Sequence, residues 1–171
     1  ILRTFQIAHE FTNLTVLENL MMVPGNQSGE NLMTALLNPK LIKKEEDKIR
    51  DKAYGVIDFL NLKHLANELA GNLSGGQQQQ LAIGRALVGD PKVLLLDEPT
   101  EGIQPNIIQS IGHVLKSLIT EKKMTVVLVE QYVDFIKEFG DLFFIINKGQ
   151  VVSSGKTRNL NDNLVQEHLS V

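Results

Sequence analysis

Val93-Leu94-Leu95-Leu96-Asp97-Glu98-Pro99-Thr100 decides how this chain is read. The continuous aliphatic run, with Pro91 before it and Pro99 after it, is what a parallel strand buried on both faces looks like. It ends on two adjacent carboxylates, at the strand end where α/β sheets take their ligands. Asp97 suits a Mg²⁺ shell, because that cation takes one or two carboxylates and keeps several waters. Glu98, one step further, can polarise an attacking water as a general base. The plainer alternative is two solvated acids at a strand end. The aliphatic run before them and Pro99 after them weigh against it.

Downstream, Pro105 fits the first turn of a helix. Ile107, Ile108, Ile111, Val114, Leu115 and Leu118 then recur at helical spacing. Thr125-Val126-Val127-Leu128-Val129 is a second buried run, so strand, helix and strand form a right-handed βαβ unit. Gln131 stands just past that second strand. Leu142-Phe143-Phe144-Ile145-Ile146 and Gln150-Val151-Val152 flank Asn147-Lys148-Gly149, which reads as the turn of a hairpin.

Upstream the pattern is helical. Thr15 with Glu18 three residues later has the form of a capping box, so a helix starts there. Gly25 to Gly29 is a loop. Between Leu41 and Leu60, a charged run leads into Ile49, Ala53, Val56, Ile57 and Leu60, one apolar face of a helix with solvated charges opposite. Leu73-Ser74-Gly75-Gly76-Gln77 opens another helix through Leu81, Gly84 and Leu87. Ser74 can cap it, and the two glycines let a ligand approach bare N–H groups where the helix dipole favours an anion. An ordinary Ser-Gly-Gly turn before a helix is the other reading of those residues alone. The chain is expected to divide into a helical section over about 7–90 and an α/β section over 91–171.

Composition narrows the classes. The 171 residues are 43% hydrophobic and 22% charged, which is the balance of one globular domain rather than of a disordered chain. The absence of Cys excludes disulfide frameworks, cysteine nucleophiles and thiolate zinc sites. A net charge of -3 argues against a generic nucleic-acid binder, whose footprint is basic. No apolar run approaches the roughly 20 residues that span a bilayer. The four histidines (His9, His64, His113 and His168) lack metal-ligand spacing and read as surface or helix residues.

Taken together, these motifs resemble the ABC ATPase family. Leu73 to Gln77 is similar to its signature, Val93 to Glu98 to its Walker B strand with the catalytic acid, and Gln6 to its Q-loop glutamine. The resemblance implies a partial P-loop NTPase fold: a helical subdomain, a mostly parallel sheet with flanking helices, and a C-terminal hairpin. It implies ATP and Mg²⁺ as cofactors, with Asp97 and Gln6 toward the metal and Glu98, Gln131 and Gln6 catalytic. Ser74, Gly75, Gly76 and Gln77 would contact the γ-phosphate of ATP held by a second subunit in a head-to-tail dimer. Partners would also include transmembrane permease subunits and, through them, a solute-binding protein, at the cytoplasmic face of the plasma membrane.

Finer similarity points to importers of branched-chain amino acids and of urea. Arg3-Thr4-Phe5-Gln6 and Leu14 to Leu20 look like one of their two ATPase subunits. Asp97 to Pro105 and Val129-Glu130-Gln131 look like the other, particularly its urea-transport form. Phe11 would border the groove that receives a permease helix, or would be plain core.

Three departures from the family stand out. The loop Gly-x-x-x-x-Gly-Lys-Ser/Thr is missing, and the near match from Gly149 to Thr157 has five residues between its glycines, so Gly155-Lys156-Thr157 reads as a surface loop. The true loop is expected upstream of Ile1, since the chain opens abruptly and without Met. Gln104 occupies the D-loop position usually held by Asp, and Gln131 that of the switch His. Two other functions stay open: a soluble ABC ATPase outside transport, and a catalytically incompetent interaction fragment.

Overall fold

The computed structural model describes residues 2–3, 11–24 and 36–169. Gln6, His9 and the Gly25–Gly29 loop fall outside them. In chain order the elements are β1 (Leu2–Arg3), α1 (Val16–Met21), α2 (Pro39–Phe59), α3 (Gly75–Val88), β2 (Val93–Asp97) and α4 (Pro105–Thr120). There follow β3 (Thr125–Val129), α5 (Val133–Phe139), β4 (Leu142–Asn147), β5 (Gln150–Lys156) and α6 (Asp162–Leu169).

The helices start where their caps dictate. The Glu18 N–H donates to Thr15 Oγ1 (3.2 Å), and Glu18 Oε2 accepts from the Thr15 N–H (2.8 Å), so the expected box opens α1. Pro105 sits in the first turn of α4, where its missing N–H costs nothing. Helix α2 buries Ala53 and Ile57 and leaves its charged run to solvent. Leu81 and Ile83 of α3, Leu94 and Leu96 of β2, and Ile111 and Leu118 of α4 share one apolar core with Val16 and Leu20 of α1. Asn19 is fully buried beside them. It is satisfied because its Oδ1 accepts from the Phe11 N–H (2.9 Å) and its Nδ2 donates to carbonyls of Phe11, Leu14 and Thr15. Nothing in the sequence pattern marks this polar plug.

Strands β1, β2 and β3 form a parallel sheet in that order, with Leu2 beside Leu94 and Asp97 beside Val129. The expectation that β3 is buried on both faces is corrected. Val127 and Val129 are 47% and 56% exposed, whereas Leu94 and Leu96 of the central strand are buried. An all-aliphatic strand reads the same whether one face or two are covered. Only the layers packed on it decide.

The hairpin β4–β5 is antiparallel and stands as a separate two-stranded sheet. Lys148 (φ 49°) and Gly149 (φ 78°) form its two-residue turn, a pair of positive φ values matching the strand twist. Phe143 and Ile145 point into a second small core with Leu160, while Leu142, Phe144 and Ile146 lie exposed on the opposite face. Gly155 pairs with Phe143 and Lys156 with Leu142, so the Gly155-Lys156 stretch is strand rather than the expected surface loop. Helices α5 and α6, seven and eight residues long, were not foreseen, being too short to show a helical period. Phe139 of α5 lies against Gly112 of α4, where any Cβ would stand 2.3 Å from the ring.

Candidate functional site

The parallel pairing of β2 with β3 brings two distant segments together. Asp97 ends β2 beside Val129, and the chain then turns sharply at Glu98, whose N–H donates to the Val129 carbonyl (2.8 Å). Glu98 takes φ 44°, in the left-handed region that a non-glycine residue occupies only where its surroundings hold it. From there Glu98 Oε1 accepts a hydrogen bond from Gln131 Nε2 (2.5 Å). The two residues singled out as base and switch are therefore direct partners across the ends of neighbouring strands. Gln131 is exposed, and Asp97 and Glu98 are half-buried. A cleft of about 370 Å³ opens at this end of the sheet, walled by Glu98, Thr100, Glu101, Glu130, Gln131 and Tyr132.

Sequence reasoning assigned no role to Glu130 or Thr100. Glu130 Oε1 accepts from the Thr100 N–H (3.0 Å) and hydroxyl (2.6 Å), and Oε2 accepts from the N–H groups of Gln131 (3.0 Å) and Tyr132 (3.2 Å). The one available signal was an acid directly before Gln131 at a strand end.

Ser74, Gly75, Gly76 and Gln77 gather at the start of α3 rather than around this cleft. The Ser74 N–H donates to Gln77 Oε1 (2.9 Å) and the Gln77 N–H to Ser74 Oγ (3.4 Å), a complete capping box. Gly75 is exposed, and a Cβ there would meet nothing nearer than Ile103 Cδ1 at 3.9 Å. Gly76 is different. It is buried, and a Cβ would fall 2.4 Å from Ile107 Cγ2 of α4. Gly75 thus borders open space, whereas Gly76 also lets α3 and α4 touch, a packing role that the sequence does not mark.

Gln104 precedes α4 as its N-cap without a side-chain capping bond. Phe11 is not core: it is 47% exposed, with the Arg85 guanidinium 5.3 Å from its ring centroid. His64 and His113 are exposed, and among the described residues no group of three or more His, Cys, Asp or Glu side chains is set to hold a metal.

Comparison with known proteins shows what the chain as a whole is similar to. The chain is 37% identical over 157 residues to the probable branched-chain amino acid transport ATP-binding protein LivG of Methanocaldococcus jannaschii, covering 91% of this chain and 60% of the relative. It is 29% identical to the high-affinity branched-chain amino acid transport ATP-binding protein BraF of Pseudomonas aeruginosa, covering 95% and 64%. The chain thus spans less than two thirds of the length of these curated relatives. Among solved structures, an ATP-binding cassette of an ABC transporter in its ADP conformation matches at TM-score 0.74 and 32% identity, over 99% of this chain and 68% of that one. A dimeric post-hydrolysis cassette bound to ADP and Pi matches at TM-score 0.69 and 29% identity, over 92% and 63%. The family model described as ABC transporter covers residues 1–101, more than half the sequence, and the chain belongs to that family.

Proposed function

We propose that this chain is part of an ATP-hydrolysing subunit that drives import of branched-chain amino acids. The observation that carries the reading is the Glu98–Gln131 hydrogen bond at the C-terminal ends of β2 and β3. It sets a carboxylate and an amide donor side by side at the ligand end of a parallel sheet. Glu98 takes a proton from the water that attacks the terminal phosphate of ATP, giving ADP and phosphate. Gln131 orients Glu98 and offers a neutral donor toward the phosphate. Gln6, outside the described residues, is assigned to the metal and the attacking water. The names of the relatives favour branched-chain amino acids over urea as the solute class.

Asp97 fits a Mg²⁺ role because it is a half-buried carboxylate at the C-terminal end of β2, the ligand end of the parallel sheet. Mg²⁺ keeps most of its shell as water and phosphate, so it needs no more protein than this, and when bound it supplies charge neutralisation to the phosphates. The capped start of α3, with Ser74, Gly75, Gly76 and Gln77, faces nucleotide held by a second ATPase subunit. In support, a solved relative is dimeric and the four residues do not line this chain's own cleft. Among the described residues no helix is long and apolar enough to cross a membrane. As a transport ATPase, like the relatives it resembles, the subunit attaches through permease subunits, with a solute-binding protein beyond them, and sits peripherally at the cytoplasmic face.

The test is Glu98→Gln in the ATP-hydrolysing protein. It should retain ATP binding and lose hydrolysis by about a hundredfold or more, the lower range for removing a general base. Near-normal phosphate release would overturn the assignment.

A further inference from the structure

We propose that Glu130 is a positioning residue that fastens the turn after β2 to the turn after β3 and so holds Gln131 against Glu98. The proposal rests on the reading of Glu98 as the hydrolytic base. Its own ground is the hydrogen bonding of one half-buried carboxylate. Oε1 takes the N–H and hydroxyl of Thr100, and Oε2 takes the N–H groups of Gln131 and Tyr132. Both oxygens are thereby engaged, each with two donors: those on Oε1 lie 30 residues away in the chain, those on Oε2 one and two residues on. Bonds to an ionised acceptor are roughly twice as strong as neutral ones, so this carboxylate is a firm anchor.

Each side of the anchor leads to the reactive pair. On the β2 side, Thr100 is buried and gives the carboxylate its fixed point, two residues after Glu98. On the β3 side, the anchored N–H belongs to Gln131 itself. Gln131 is exposed, with a flexible side chain, so packing does not aim its amide at Glu98. The anchored backbone keeps that amide within reach of Glu98. Glu130 therefore works as a clamp, not as a second base, although it shares the cleft with Glu98 and Glu101.

The isosteric amide cannot replace it. With its oxygen kept on Thr100, the glutamine NH₂ would face the Gln131 and Tyr132 N–H groups, donor against donor. The experiment measures kcat, KM for ATP and thermal midpoint in the ATP-hydrolysing protein for Glu130→Gln, Gln131→Ala, the double variant and Glu98→Gln. Thr100→Val, which removes only the hydroxyl bond, serves as a milder second probe. Because Glu130 acts through Gln131, Glu130→Gln should lower kcat no further than Gln131→Ala does, about tenfold at most, with KM unchanged. In the Gln131→Ala background it should have no further effect, and Thr100→Val should follow the same pattern at smaller amplitude. If Glu130→Gln lowers kcat by the same factor with or without Gln131, the role is structural and the proposal fails. It fails too if Glu130→Gln leaves kcat unchanged while Glu98→Gln stops turnover. Undiminished turnover in Glu98→Gln would instead overturn the reading of the site, and the proposal with it.

Discussion

At Glu98 the backbone is left-handed, its N–H is tied to Val129, and its carboxylate meets an amide rather than an imidazole. That last feature has a kinetic consequence. A Gln amide donates a hydrogen bond but cannot become cationic near neutral pH, so it adds no titrating charge to the transition state. A neutral hydrogen bond contributes about 0.5–1.5 kcal/mol, so Gln131→Ala should slow hydrolysis about tenfold at most, clearly less than Glu98→Gln. Gln131→His should keep turnover and introduce a pH dependence between roughly pH 6 and 7.5. Steady-state phosphate release across pH reads both. Loss in Gln131→Ala as complete as in Glu98→Gln would refute the modest role. Adjacent acids after an aliphatic run were visible in the sequence. The left-handed turn that aims Glu98 was not, because no Gly marks it.

Among the elements, α3 shows how one motif holds two kinds of glycine. Gly76→Ala would push a methyl into the β-branched Ile107, which has little room to yield, and should destabilise the fold by about 1–3 kcal/mol, as overpacking does. Combining it with Ile107→Ala should restore part of the loss, measured by denaturant unfolding. Gly75→Ala, facing open space, should cost much less. If Gly76→Ala and Gly75→Ala prove equal in stability, the packing role is wrong. Helix α1 carries a pH signature. Hydrogen bonds to the Glu18 carboxylate, from the Thr15 backbone first and its hydroxyl second, hold its pKa below the usual glutamate value. A depressed carboxylate stabilises the fold at pH above its unfolded value, and that contribution fades as pH falls through the folded value. Glu18→Gln should therefore unfold with a smaller difference between neutral and acid pH than the parent does. An unchanged difference would remove Glu18 from the account. The capping box at Thr15 and the cap at Ser74 were legible because they are local patterns, while the reciprocal bond that Gln77 returns to Ser74 came from the structure. The contact of Gly76 with Ile107 was not, because it joins two helices.

For the whole molecule, the 171 residues contain no Gly-x-x-x-x-Gly-Lys-Ser/Thr, and Gly155-Lys156 belongs to a hairpin strand. The isolated chain should accordingly bind Mg-ATP weakly or not at all, since the backbone cradle and its lysine normally hold the phosphates. Calorimetric titration checks this, and micromolar Mg-dependent binding would overturn it. The division between sequence and structure follows the range of the interactions. Composition, the 3.6-residue spacing of α2 and α4, the Pro105 start, a turn within Asn147-Lys148-Gly149 and the motifs themselves are local properties, so the sequence alone determined them. Which faces are covered is not local: β3 looks buried from its residues and is half exposed, while the hairpin buries Phe143 and leaves Phe144 outside. The pairing of Glu98 with Gln131, and of Glu130 with Thr100, arises only when β2 and β3 lie side by side. Residues so far apart in the chain meet through backbone registration. Only the tertiary structure could decide that Glu98 and Gln131 share a hydrogen bond.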